Sequence, residues 1–101
     1  MKPLNPQLAA RRKCTIIRGC GAFCPAAYGV ACVQDGALIH VETFYGHDGR
    51  TERARANSYA KQYVAGVDFG LFSPLYRNPL PVSFNNTANR QAIARLIEES
   101  R

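Results

Sequence analysis

The sequence lacks long apolar runs and any segment typical of protein export. Its longest apolar stretches span only a few residues, far short of the roughly 20 that a membrane-spanning helix requires, so no membrane span is expected. The N-terminal stretch MKPLNPQLAARRK contains no apolar segment of the length that a secretory signal peptide needs. We therefore expect a protein of the reducing cytoplasm, where paired cysteines seldom stay oxidised.

Sequence signatures of catalysis are also missing. The glycine-flanked segment GCGAFC has neither the lysine of a phosphate-binding P-loop nor the glycine spacing of a dinucleotide-binding fold. There is no GxSxG nucleophile motif, no HExxH zinc motif and no pair of carboxylates in a convergent context. We expect a protein that is not an enzyme and that needs no cofactor.

The four cysteines all lie within residues 14–32, in CTIIRGCGAFCPAAYGVAC. Their spacings are C-x5-C, C-x3-C and C-x7-C, whereas structural zinc sites usually combine short knuckles such as C-x2-C. The favoured interpretation is free thiols that pack as small apolar side chains, without a metal site. Disulfides and a reactive thiol at Cys20 or Cys24 remain as alternatives. So does a partial zinc site formed by Cys14, Cys20, Cys24 and either His40 or His47.

The remaining composition indicates a single α+β domain over residues 1–101. Hydrophobic residues make up 47% of the chain and charged residues 20%, which is typical of a globular protein. Asp35-Gly36 predicts a two-residue type I′ turn and therefore a β-hairpin over about residues 27–45. That register places Val33 opposite Leu38 and Cys32 opposite Ile39. One face of the hairpin then carries the predicted core residues Tyr28, Val30, Cys32, Ile39, Val41 and Thr43.

Two helices are predicted to pack on this small antiparallel sheet of three or four strands. The first, over about residues 50–65, follows a cap at Asp48 and has apolar side chains at helical spacing: Ala56, Tyr59, Ala60, Tyr63 and Val64. The second, over about residues 87–99, starts from an Asn/Thr cap and buries Ala92, Ile93, Leu96 and Ile97. Asn5-Pro6 predicts a short helix through Lys13, residues 14–18 (CTIIR) predict a strand, and LPVSF (80–84) predicts an edge strand.

Basic residues are clustered rather than spread evenly, in a chain with 13 Lys and Arg, seven Asp and Glu, and a formal net charge of +6. Such clustering favours an anionic partner, either a nucleic acid or an acidic protein surface. A solvated helix face that keeps the protein soluble is the alternative. The predicted partner-binding residues are Arg50, Arg53, Arg55 and Lys61 on the middle helix, Arg11, Arg12 and Lys13 near the N-terminus, and Tyr76 and Arg77 as an interface anchor.

The ββα unit VACVQDGALIHVETFYGHDGRTERARANSYAKQYV, together with the small size and the missing catalytic motifs, resembles the small phage-encoded anti-CRISPR proteins. The resemblance implies a compact binding protein that acts in the bacterial host cytoplasm by occluding a CRISPR–Cas surveillance complex. A basic member is expected to dock on an acidic protein patch or to contact the nucleic acid itself. Two alternatives are a small nucleic-acid-binding regulator that uses the basic helix, and a zinc-stabilised interaction module.

Overall fold

The computed structural model describes residues 4–19, 26–70, 76 and 79–101, and is built around a three-stranded antiparallel sheet in the order β1-β2-β3. The elements follow the chain as α1 (Pro6–Arg11), β1 (Arg12–Gly19), β2 (Ala26–Gln34), β3 (Ala37–Gly46), α2 (Arg50–Val64), a 3₁₀ helix (Val82–Phe84) and α3 (Thr87–Glu99). This arrangement confirms the predicted α+β class, the hairpin and the two longer helices. Among the described residues, no helix has both the length and the apolar character needed to cross a membrane.

The hairpin departs from the predicted register just beyond its turn. The Asp35-Gly36 turn forms with positive φ angles of 54° and 78°, as a type I′ turn requires. A β-bulge between Cys32 and Val33 then inserts Ile39 as an extra residue of β3, so that Cys32 lies opposite His40. The predicted pairing of Cys32 with Ile39 is therefore wrong.

The bulge also moves two predicted core residues to the other face of the sheet. Val41 lies opposite Ala31, and Thr43 lies opposite Gly29, whereas Val30 lies opposite Glu42. The prediction that Val41 and Thr43 share a face with Val30 is wrong, because one inserted residue reverses the alternation of every side chain beyond it.

Both faces of the sheet are buried, each by a different helix. The α2 face holds a cluster of Val30, Cys32, Ile39, Ala56 and Tyr63. The opposite face holds a cluster of Ile17, Ala27, Ala31, Val41, Phe84 and Ile93, to which α3 contributes Ile93. The central strand β2 is therefore apolar on both sides, a pattern that strands covered on both faces share.

Two element boundaries also differ from the prediction. Helix α1 ends at Arg11 rather than Lys13, because the chain is already extended at Arg12, the first residue of β1. The LPVSF segment contains a 3₁₀ helix instead of an edge strand. The Phe84 N–H donates to the Pro81 carbonyl at 2.8 Å, and this turn buries the Phe84 side chain completely.

Candidate anion-binding surface

One side of α2 presents only basic and neutral side chains to solvent. Arg50, Arg53, Asn57 and Lys61 follow each other at spacings of three and four residues, and all four are exposed, as the helical period predicts. These four residues are called the basic row below. Arg55 is exposed too, but it lies about 140° around the helix from Arg50, because each residue turns the helix by about 100°.

The acidic residues nearest the basic row are engaged in starting the helix. Glu52, the one acidic residue of α2, is buried, and its Oε2 accepts a hydrogen bond from the Gly49 N–H at 2.7 Å. Oδ2 of Asp48 accepts from the Thr51 N–H at 3.1 Å, so Asp48 caps this N–H as predicted, although the N-cap position itself is occupied by Gly49. Both carboxylates satisfy N–H groups that the start of a helix leaves free. Within the described part of the chain, no residue of the basic row forms an ion pair.

A shallow groove of about 380 Å³ opens beside the first turns of α2. Its lining consists of Tyr28, Asp48, Gly49, Arg50, Arg53, Ala54 and Asn57. Tyr28 belongs to β2, and its cross-strand neighbour in β1 is the exposed Arg18. Since opposite residues of antiparallel strands share a face of the sheet, Arg18 extends the positive surface on the far side of Tyr28.

Sequence reasoning missed Tyr28 and Arg18 as parts of this surface. Tyr28 was assigned to the core, where its partial burial does place part of the side chain against the α2-side cluster. Arg18 becomes a neighbour of Tyr28 only through the register of β1 with β2, a long-range pairing that no local pattern of either segment predicts.

The predicted basic residues near the N-terminus are used within the fold. Arg11 forms an ion pair with Asp35, with 2.8 Å between Nε and Oδ2, and the hydrogen bond from Arg11 lowers the pKa of the Asp35 carboxyl below its usual value. Nζ of Lys13 donates to the Glu99 carbonyl at the end of α3 at 3.0 Å. Both side chains remain exposed, but they lie outside the basic row and its groove.

Arg12 is a structural residue. It is only 6% exposed, and its Nη1 donates to the carbonyls of Tyr63 and Val67 at 3.1 and 2.7 Å. Its guanidinium carbon lies 4.4 Å from the centroid of the Tyr63 ring. A cation is favourable there, because carbonyls at the end of a helix carry partial negative charge and an aromatic face attracts a guanidinium. This burial removes Arg12 from the predicted partner-binding set.

The predicted interface anchor also changes. Tyr76 packs against the core cluster on the α3 side, and its N–H donates to the Leu38 carbonyl at 2.8 Å. The half-buried Tyr76 therefore supports the fold. Arg77, the other member of the anchor, lies outside the described residues.

Comparison of this chain with protein-family models, with curated proteins and with solved structures gives no match.

The geometry of the basic row and its groove defines what this surface can bind. Asp48 also lines this groove, but its carboxylate is engaged with Thr51 at the start of α2. Guanidinium groups that form no ion pair within the described residues can make paired hydrogen bonds to carboxylates or phosphates. Arg18, Arg50 and Arg53 around the Tyr28 ring therefore form a surface for an anionic group with an adjoining flat or apolar part.

Two of the four cysteines lie in the described residues, and both are free thiols. Cys14 of β1 lies directly opposite Cys32 of β2, and Cys32 is completely buried. Cys20 and Cys24, on which the zinc and reactive-thiol alternatives depend, lie outside those residues. In the described ranges, no group of three or more His, Cys, Asp or Glu side chains is placed to hold a metal ion. Nε2 of His40 lies 3.3 Å from a Glu42 carboxylate oxygen.

We expect Cys32 to resist alkylation in the native protein. Burial raises the pKa of the Cys32 thiol well above its ordinary value and also raises that of Cys14, so both are protonated at neutral pH. Because the thiolate is the nucleophile, iodoacetamide should modify Cys32 at least about a hundredfold more slowly at pH 7.5 than in the urea-unfolded chain. Mass spectrometry of the Cys32 peptide measures both rates, and equal rates would contradict the burial of this thiol.

Proposed function

We propose that this protein is a non-enzymatic binding protein that uses the basic row and the Tyr28 groove to bind an anionic surface. One observation carries the proposal: the arginines of α2 are exposed and form no ion pair within the described residues, while Glu52, the one acidic residue of the helix, is buried. Their hydrogen-bonding capacity is thus available to another molecule. The formal net charge of +6 adds long-range attraction toward a negative partner.

The partner we propose is a CRISPR–Cas surveillance complex of the bacterial host, bound at an acidic patch of one of its proteins. Support comes from the resemblance of residues 30–64 to small phage-encoded anti-CRISPR proteins, together with the exposed cations of the basic row. On this proposal the protein acts in the host cytoplasm. Inhibition is steric, because a domain bound at such a patch excludes the nucleic acid or a second protein from the same space.

Co-expression with candidate CRISPR effectors tests this proposal. We expect the tagged protein to copurify with one effector complex and to restore plaque formation by a phage that this complex normally blocks. An unrelated basic domain of similar size is the control for charge-driven adhesion. Failure to copurify with any effector, together with failure to restore plaques, would contradict the proposed partner.

A small nucleic-acid-binding regulator is the second candidate, and the position of Tyr28 favours it. An aromatic ring between arginines suits single-stranded nucleic acid, whose bases stack on aromatic side chains while its phosphates pair with cations. On this alternative, the same groove would hold a base against Tyr28, with Arg18 and Arg53 on the adjoining phosphates.

Salt dependence and a Tyr28→Leu variant test the second candidate. If a single-stranded 12-nucleotide DNA binds this groove, the logarithm of its affinity should fall with the logarithm of salt concentration, with a slope of about 0.7 per phosphate contacted. Tyr28→Leu should weaken binding about tenfold, because leucine preserves apolar bulk but cannot stack on a base. Fluorescence anisotropy measures both effects, and a flat salt response would exclude nucleic acid as the partner.

A further inference from the structure

The outer edge of β1 is a second surface, distinct from the basic row, although Arg18 borders both. Within the residues that the structure describes, β1 is an edge strand, paired with β2 on one side only. The Asp35 N–H donates to the Arg11 carbonyl at 3.2 Å, which extends the β1–β2 ladder by one pair. Bonded and non-bonded pairs alternate in antiparallel strands, so Lys13, Thr15 and Ile17 bond to β2. The even-numbered residues of β1 therefore direct their backbone groups away from the sheet.

A second contact supports this orientation. The Arg18 carbonyl accepts a hydrogen bond from Nδ2 of Asn89 in α3 at 3.0 Å, so it points away from β2. In the described part of the chain, no hydrogen bond of this kind is made to the backbone N–H and C=O groups of Cys14 and Ile16. A strand edge with free donors and acceptors is a template on which another strand can pair.

Both sides of this edge offer contacts for the side chains of an added strand. On the α3 side, a groove of about 280 Å³ is lined by Cys14, Thr15, Ala92, Arg95, Leu96 and Glu99. On the α2 side, Ile16 and Val64 are apolar and remain 37% and 42% exposed. Successive side chains of a strand point to opposite faces, so an added strand would place alternate residues in these two positions.

We infer that the β1 edge accepts an extended acidic segment of a partner protein as a fourth strand of the sheet. Charge identifies this occupant, because Lys13, Arg18 and Arg95 are exposed along the edge and β1 contains no acidic residue. Among the described residues that line the adjoining groove, Glu99 is the one acidic side chain. A second copy fits poorly, because the exposed Lys13 and Arg18 of each β1 would meet a strand that offers no acidic residue in return.

Hydrogen exchange tests the orientation of β1 in the free protein. The amide protons of Cys14 and Ile16 should exchange at least about tenfold faster than those of Thr15 and Ile17, since only the latter pair is bonded to β2. NMR-detected exchange at neutral pH resolves the four amides. Equal protection of all four would contradict a free edge at these positions.

A displayed library of random heptapeptides, selected against the purified wild-type protein, tests the occupant. Enriched peptides should carry Asp or Glu between apolar residues. Ile16→Pro removes the outward N–H without breaking the β1–β2 ladder, and an edge strand tolerates proline at such a position. We expect this variant to bind the enriched peptides at least about tenfold more weakly. Ile16→Ala is the matched control, because it loses the side chain but retains the N–H, and it should bind within about fivefold of wild type.

Further readouts separate the outcomes. Bound peptide should slow exchange of the Cys14 and Ile16 amides in the wild-type protein. This measurement tests strand addition at β1 even if Ile16→Pro fails to fold. Charge reversal at Arg50 and Arg53 should leave peptide binding intact, so this inference and the proposed function can fail separately. The inference would be overturned by selection of no peptide or of basic peptides, by equal binding to Ile16→Pro, or by a wild-type dimer formed through β1 in sedimentation.

Discussion

Replacing Phe84 with alanine is expected to lower the free energy of unfolding by about 4 kcal/mol. The side chain is completely buried, in the cluster between the sheet and α3. Its ring lies over backbone that has no side chain: a Cβ added at Gly29 would lie 3.3 Å from Cε1 of Phe84, and one at Gly19 would lie 2.9 Å from it. The two glycines and the ring therefore form one complementary contact, which alanine replaces with a cavity.

Urea denaturation of a small set of variants measures this contribution. Phe84→Leu should cost only about 1–2 kcal/mol, because leucine fills part of the site. Gly29→Ala should be unfavourable in the wild type, where its methyl group would lie 3.1 Å from Cγ1 of Ile17 and 3.3 Å from the Phe84 ring, and less unfavourable beside Phe84→Ala, which removes the second of these contacts. We expect a coupling of about 1 kcal/mol between positions 29 and 84. Strictly additive effects would contradict the packing of this ring on Gly29.

Replacing Arg12 with alanine is the second large expected effect, a loss of about 3 kcal/mol in the free energy of unfolding. In the described residues, Nη1 of Arg12 is the one donor to the Val67 carbonyl. The Tyr63 carbonyl also accepts from the Gly66 N–H, so it keeps a partner. The variant thus leaves one carbonyl without its donor, removes a cation from the Tyr63 ring and opens a cavity between β1 and the end of α2.

Two control variants separate these contributions to the Arg12 effect. Arg12→Met preserves most of the buried volume and should lose about 1–2 kcal/mol, chiefly through the Val67 carbonyl. Arg55→Ala removes an exposed arginine and should stay within about 0.5 kcal/mol of wild type. Urea unfolding compares all three variants at one pH. An Arg12→Ala variant as stable as Arg55→Ala would contradict a structural role for this guanidinium.

Local sequence was sufficient for the parts of the fold that depend on neighbouring residues. The Asp35-Gly36 turn, the Asp48 cap and the periodicity of α2 and α3 are such features, and each was predicted. The bulge at Ile39 was not, because it depends on how two strands pair across the sheet. One available signal was overlooked: the run YGVACV is apolar at nearly every position, which indicates a strand buried on both faces.

The candidate site likewise has features that local sequence predicts and features that depend on long-range contacts. Charge clustering selected Arg50, Arg53 and Lys61 from the sequence, and the helical period is sufficient to place them in one row, where all three are exposed. The burial of Arg12 was not predictable from charge clustering, because it depends on β1 meeting the end of α2, more than 50 residues away in the chain. The neighbourhood of Arg18 and Tyr28 likewise exists only once β1 and β2 are paired.

Two double charge reversals, compared by copurification with the effector that binds the wild type, test the proposed binding surface most directly. Arg50→Glu with Arg53→Glu alters the basic row, and Arg90→Glu with Arg101→Glu makes the same change in net charge on and after α3. Arg50, Arg53 and Arg90 lie in the first turns of their helices, where glutamate is well tolerated. Arg101 is exposed beyond the end of α3, and its ion pair with Glu98 is a surface pair of small energetic value, so both variants should fold. We predict that the first variant loses copurification and plaque restoration, while the second retains both. Retention of binding by the first variant, or equal loss in both, would contradict the account.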